Sequence, residues 1–372
     1  MAVCNTVLER GEEHPSLNLA APSMVTRESE ASRSTIPVPL AAYDVLGYSS
    51  PLFAVVETDP LANFLKRIVR KLRYQPRNFS LTLFFLLALL AWGCMGTGAA
   101  AVSAIDDTGR KIQLSRPAQR IISLAPHTTE LLFAAGAGDR IVAVAEFSDY
   151  PPAARTLPRI GDAIRLDRER IVMLKPDLVV AWGSGNQAAD LEALREFGFP
   201  LFISEPRQPE DIPRQLESLG ALTGNPETAG KKAKVFRDRL AALRAKYAGR
   251  ETVSVFFQVT GRPLMTINGE HLISALLELC GGRNLFGHLS ILAPSVSREA
   301  VIAVAPEVIL YSEYPGNEAA DLKLQWDPWQ TIPAVKQKQI VGIPADLIHR
   351  AGPRVLEGAE RICVAVDRAR GS

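Results

Sequence analysis

The chain has 372 residues, 47% of them hydrophobic and 22% charged, with a formal net charge of +2. That length and balance suit two globular domains with cores of their own. A charge so close to zero removes nucleic acid from the candidate partners.

Residues 1–60 are rich in Pro, Ser and acidic residues and show no sustained hydrophobic period, so they read as a disordered leader or as sequence ahead of the true start. No function is assigned to them. In residues 61–104, Lys66, Arg67, Arg70, Lys71, Arg73 and Arg77 precede the apolar run LTLFFLLALLAW and the small-residue run GAAAVSA. A basic region, an apolar heart and small residues at Val102-Ser103-Ala104 predict a secretory signal peptide cleaved after Ala104. An uncleaved anchor is the alternative, because about 18 apolar residues can span a bilayer. Cys94 raises a lipoprotein alternative, poorly served by Ala91-Trp92-Gly93. Export sets the expectation of a periplasmic protein. It also means that Cys280 and Cys363 meet an oxidising compartment, where they pair as a disulfide or stay as two buried thiols.

A first lobe is expected over 105–224. Residues 106–119, with an Asp-Thr-Gly turn, read as an entry hairpin or an edge segment, and RIISLA at 120–125 is a strand. Pro126, His127 and Thr128 then lead into an apolar helix ended by Gly136 and Gly138. The strand at 141–145 opens into Glu146-Phe147-Ser148-Asp149-Tyr150-Pro151-Pro152. The most informative stretch is RERIVMLKPDLVVAWGSGN, residues 168–186. Its helix must stop at Pro176, and the β-branched run after it suits a strand buried on both faces of a parallel sheet. Trp182 therefore stands at a strand's carboxyl end, where open α/β sheets bind ligands. Gly183, Ser184 and Gly185 let the backbone approach one. Further helices at 187–197 and 209–222 flank a strand at 201–204.

Residues 225–248 read as one long helix, with Asn225 as cap, Pro226 in the first turn, and Val235, Leu240 and Leu243 on one side. It connects the first lobe to a second over 249–372. There, REAVIAVAPEVILYS repeats the earlier helix-turn-strand at an offset of 130 residues, Glu299 answering Glu169, Pro306 answering Pro176 and Glu307 answering Asp177. The fold class is α/β: two α/β lobes with parallel-rich sheets, joined by one long connecting helix. A late strand at 340–343, a loop at 344–352 and a closing helix at 354–368 complete it.

RIISLAPHTTELLFAAG, FSDYPP, the 168–186 stretch, LLELCGGRNLF, SVSRE and PADLIHRAGPR together resemble the periplasmic cobalamin-binding proteins of vitamin importers. These form the corrinoid branch of a class that also serves haem and siderophores. The resemblance covers about 117–366. It implies a corrinoid held between the lobes against Pro126, Phe147, Trp182 and Met265, with Asp346 and Arg350 near the ligand's amide fringe, while His127, Tyr150 and the glycine loop 183–185 join the cleft by their places in loops past strand ends. It also implies that Glu169 and Glu299 dock onto an inner-membrane ABC permease with its ATPase, each lobe contributing one. The same carboxylates favour the helix dipoles on which they sit. Where the family carries further aromatics this chain has Ala163, Ala293, Leu347 and Ile348, while Trp326 and Trp329 either replace them or pack the lobe.

No HExxH, HxH, GxSxG, GxGxxG or Walker pattern appears, so the reading is a monomeric carrier, without catalytic residues, resident metal or cofactor. Two alternatives stand beside it. One is a haem or ferric-siderophore carrier of the same fold, using Tyr150, His127 or His349 as axial ligand; the other is an exported metal-dependent enzyme.

Overall fold

The computed structural model describes residues 100–314 and 322–371, together with residue 67. The leader, the apolar signal segment, Cys4 and Cys94 lie outside the described residues. Among the described residues, no helix is long and apolar enough to cross a membrane.

The hairpin at the start is β1 (Val102–Ile105) paired antiparallel with β2 (Lys111–Leu114). Asp106 makes its turn, accepting the Thr108 and Arg110 N–H groups at 2.9 and 3.0 Å and the Thr108 hydroxyl at 2.7 Å. The cleavage expected after Ala104 therefore falls inside a strand of the folded lobe. Small alternating residues satisfy both the cleavage rule and an edge strand, and here Val102 and Ala104 pack on the core. The lobe begins upstream of Ala104.

The first lobe is a parallel sheet of β3 (Ile121–Ser123), β4 (Ile141–Val144), β5 (Leu178–Trp182) and β6 (Leu201–Ser204), in the order β4-β3-β5-β6. Around it run α1 (Pro126–Ala134), α2 (Arg168–Leu174), α3 (Ala188–Glu196) and α4 (Asp211–Thr223). Leu178 to Ala181 and all of β6 are buried, which is why these runs are continuously apolar rather than alternating.

The connector α5 (Pro226–Tyr247) touches α1 and α4 on one side of the molecule. At 1.5 Å per residue its 22 residues run about 33 Å. Its buried stripe is Ala229, Ala233, Phe236, Leu240, Leu243 and Tyr247. Spacings of four and three hold that stripe on one face. Val235 lies one step off it and is exposed, contrary to expectation. Asn225 precedes the helix without capping it: its amide donates instead to Gly136 O at 3.0 Å, tying the connector to the end of α1.

The second lobe contains β7 (Val253–Gln258), the ribbon of β8 (Thr260–Gly261) and β9 (Leu264–Met265), β10 (Gly282–Asn284), β11 (Val308–Glu313) and β12 (Ile340–Pro344). Its parallel sheet has the order β10-β7-β11-β12. The helices are α6 (Leu272–Leu279), α7 (Arg298–Val304), α8 (Pro333–Lys336), α9 (Ala345–Ile348) and α10 (Val355–Arg370), of which α6 and α10 also touch α5. One apolar cluster runs from Ile121 through Phe236 and Leu240 to Val366, so the connector is part of a core shared by both lobes.

The segment expected as a loop at 344–352 contains the single turn α9. Leu347 and Ile348 are buried within it. A Cβ at Gly358 would lie 2.7 Å from Ile348 Cγ2, so the glycine is what lets α10 close on α9. Cys280 and Cys363 are bonded, with Cα atoms 4.7 Å apart, joining the end of α6 to α10.

Candidate functional site

The loop that follows β4 in one lobe meets the segment that follows β12 in the other, where Asp149 and Tyr150 face Arg350 and Arg354. In the first lobe the central feature is the turn after β5. Asn186 accepts the Trp182 N–H at 2.8 Å and donates to Leu124 O at 3.1 Å, pinning the loop to the neighbouring strand. The Ser184 N–H donates to Glu205 Oε2 at 2.7 Å. A Cβ at Gly185 would lie 1.9 Å from Trp182 Cε3, so the missing side chain is what leaves the indole its place. Trp182 is half-buried at the end of β5.

Behind the indole stands His127, its ring edge-on with centroids 5.5 Å apart. Burial pushes its imidazole down to about 3, so it is neutral. Its tautomer follows from the hydrogen-bond chain. Gln215 Nε2 donates to Asp107, so Gln215 Oε1 accepts the Ser204 hydroxyl proton at 2.8 Å, and Ser204 Oγ accepts His127 Nε2–H at 3.1 Å. His127 therefore positions Trp182 and is itself anchored to the opening hairpin.

The loop after β4 presents Phe147, 57% exposed, and Tyr150, 42% exposed. Phe147 holds a φ of +62°, a left-handed conformation unfavourable for an aromatic residue, and so displays its ring to solvent on a strained backbone. From the other lobe come Asp346 and Arg350, one turn apart, with Arg350 Nη2 2.9 Å from Asp346 Oδ1. Met265 and Pro126 are half-buried.

A charge network absent from the sequence reading crosses between the lobes. Arg350 Nη1 donates to Asp149 Oδ1 at 2.5 Å and to Glu130 Oε1 at 3.5 Å. Arg354 grips Glu130 with two bonds, at 2.9 and 2.6 Å, and lays its guanidinium 3.8 Å from the Tyr150 ring centroid. Burial raises the Glu130 carboxyl above its ordinary range against the pull of Arg354 and Arg350. Burial acts upward on Asp149 too, but there the Arg350 hydrogen bond and charge outweigh it, and its carboxyl is held low. Arg350 is thus a clasp between the lobes as well as a neighbour of the cleft.

On the second lobe, His349 Nε2 pairs with Ser312 Oγ at 2.7 Å, and Tyr314 stacks on the imidazole at 6.1 Å. Burial, with the neighbouring His271, pushes His349 down to about 3. His271 itself lies at about 4, lowered by burial and by the charge of Arg207. Trp326 is fully buried and donates Nε1–H to Gln258 Oε1 at 2.7 Å, while Trp329 packs on the same cluster. Trp326 is core, not a substitute cleft aromatic. No group of acidic, His or Cys side chains among the described residues is arranged to hold a metal.

Glu169 and Glu299 lie in the first turns of α2 and α7, exposed, one on each lobe. An open groove of about 490 Å³, lined by Val341, Glu357 and Arg361 among others, lies between β12 and α10 and includes none of the cleft residues.

Residues 121–347 match the family model described as Periplasmic binding protein. The chain belongs to the periplasmic binding protein family. A vitamin B12-binding protein of Vibrio cholerae serotype O1 is 40% identical over 248 residues, 66% of this chain and 88% of that one. The crystal structure of the periplasmic vitamin B12 binding protein BtuF of Vibrio cholerae superposes with a TM-score of 0.66 at 39% identity, covering 69% of this chain and 99% of that one. The periplasmic heme-binding protein RhuT from Roseiflexus sp. RS-1 superposes with a TM-score of 0.60 at 26% identity, covering 68% and 98%. The two-lobed α/β fold and the membership are thus those expected from the sequence, and the corrinoid-binding relatives are more similar than the haem-binding one.

Proposed function

We propose that this protein captures cobalamin or a related corrinoid in the cleft between its lobes and delivers it, without chemical change, to an ABC importer in the inner membrane. The observation that carries this reading is the bond from Arg350 to Asp149, which brings the Asp346–Arg350 turn of one lobe to the loop that exposes Phe147 and Tyr150 on the other. A broad macrocycle edged with amides asks for flat apolar contact and a few hydrogen-bonding groups. The sequence similarity to vitamin B12-binding proteins supports the same ligand class.

Haem has less support. It needs an imidazole or phenolate free to ligate, whereas His127 and His349 have Nε2 engaged by Ser204 and Ser312 and Tyr150 lies under the Arg354 guanidinium. A metal-dependent enzyme has no support in the side-chain arrangement described.

In this reading the chain is exported by its basic and apolar leader, works as a monomer in the periplasm, and docks through Glu169 and Glu299 on a permease served by an ATPase. With α5 built into a shared core, the lobes close by small movements over a largely preformed pocket. Calorimetric titration with cyanocobalamin, cobinamide and haemin tests the ligand. One-to-one corrinoid binding is expected, weakened by Trp182→Ala; tight haemin binding without corrinoid binding would overturn it. Docking is tested by transport, which the Glu169→Ala, Glu299→Ala double variant should abolish without altering ligand affinity.

A further inference from the structure

We infer that Asp149 is a specificity determinant of the cleft: with Asp346 it occupies both ends of the Arg350 guanidinium, so that the mouth accepts a carboxamide and turns away a carboxylate. This rests on the corrinoid reading above and narrows it to ligands whose rim carries amides rather than acids.

An arginine left open in a binding cleft is a receptor for carboxylates, because its two parallel N–H groups match the two oxygens. Arg350 is not open. Its side chain is 11% exposed, with Nη1 on Asp149 at 2.5 Å and Nη2 on Asp346 at 2.9 Å. Glu130 stands behind at 3.5 Å from Nη1, already committed to Arg354. Three carboxylates therefore converge on one guanidinium. An incoming carboxylate would have to displace one of them and then lie among the others, and like charges set side by side are a means of rejection rather than of binding.

A carboxamide meets the same group differently. Its carbonyl accepts from Arg350 while its N–H₂ donates to the Asp149 carboxylate, so it enters between the two partners and satisfies both. The position of Asp149 suits that role. Its side chain is 46% exposed and sits in the loop that displays Phe147 and Tyr150, whereas Glu130 is 1% exposed and fixed. Asp346 is similarly exposed, at 51%, but lies one turn from Arg350 on the same segment, so Asp149 is the partner from the opposite lobe that can draw back to admit a ligand group. The charge is consequential because the ring systems of corrinoids and of their acid forms are the same; only the rim differs.

The experiment compares two ligands with one ring, dicyanocobinamide, whose rim is amidated, and dicyanocobyrinic acid, whose rim carries carboxylates, titrated into the parent protein, Asp149→Asn and Asp149→Glu. The parent should prefer the amide. Asp149→Asn should reduce that preference about fivefold, mostly by tightening the acid, since a half-exposed like-charge contact is worth up to ~1 kcal/mol. Asp149→Glu should restore it. Trp182→Ala, in contrast, should weaken both ligands alike. An unchanged preference in Asp149→Asn, or a parent that takes the acid as well as the amide, overturns this inference alone. Failure of the parent to bind either ligand overturns the corrinoid reading and this inference with it.

Discussion

The turn that leads into β5 and the turn that leads into β11 are built alike, whereas the side chains at which those two strands end are put to different uses. On the way in, α2 and α7 each carry a side-chain cap, Asp167 on the Arg170 N–H at 2.9 Å and Ser297 on the Ala300 N–H at 3.1 Å. Each helix ends in a left-handed residue, Lys175 and Ala305, both with φ of 46°. Each then offers an acid to the start of the next strand in the sheet. Asp177 accepts the Gln119 and Arg120 N–H groups, the latter at 2.7 Å, and Glu307 accepts the Ser254 N–H at 2.6 Å. On the way out, β5 delivers Trp182 over a glycine loop, and β11 delivers Ser312 to His349 with Tyr314 stacked on it. The repeated turn is therefore shared architecture, which also carries Glu169 and Glu299, and the cleft aromatic Trp182 stands past it, where the two strands end differently.

Acid should break both lobes, and this is the largest effect expected. His127 and His349 have folded values near 3 and His271 near 4, against an ordinary 6.5. Between those values the unfolded chain binds more protons than the folded one, so stability is full above about pH 6.5 and falls as the pH drops toward 3. Urea unfolding midpoints at pH 7, 5.5 and 4.5 should decline in that order.

Replacing both Cys280 and Cys363 by serine should separate the lobes' stabilities. The bond closes a span of 83 residues within the second lobe, worth about 4 kcal/mol in the chain-entropy account. Urea unfolding followed by proteolysis should show 249–372 cleaved first, with the first lobe still protected.

Gly185→Ala tests the first lobe's distinctive half. The added methyl occupies the place of the indole edge, so Trp182 must leave its platform. Corrinoid affinity should fall by ~1.5 to 3 kcal/mol, what one buried aromatic contributes, while the unfolding midpoint changes little. Titration and melting on the same sample separate the two.

The smallest effect tests the shared half. Asp177→Asn and Glu307→Gln should each lower stability by about 1 kcal/mol, because each weakens a charge-assisted bond to an N–H at the start of a neighbouring strand. Similar losses, read by urea denaturation, would support one architectural role for both acids; a loss confined to one would show that the repeat has diverged there too.

Much of this was legible from residues alone because it is local. Proline after an apolar turn, a β-branched run and a Gly-rich exit placed Trp182 at a strand end without any long-range information. The connecting helix was legible by its length, though its buried stripe passes through Phe236 rather than Val235. What stayed hidden depends on distant pairing. Glu130 and Arg354 are 224 positions apart, and Asp149 and Arg350 are 201 apart, so no spacing announces either pair. Asp149 lay within the quoted FSDYPP, but its partner could not be read from the motif. The turn α9 is too short to show a period, and β1 has a sequence that satisfies a processing rule equally well.

The two lobes also differ in when they can be finished. Every strand of the first sheet, and every helix packed on it up to α4, comes from one uninterrupted stretch of chain. That lobe, with the connector that packs on α1 and α4, can assemble before the second lobe is complete. The second lobe is closed last, because Cys363 lies in α10, the last helix, and joins back to Cys280. Its covalent closure waits for the end of the chain and for an oxidant, so maturation has a fixed last step at the lobe opposite to the one that begins it.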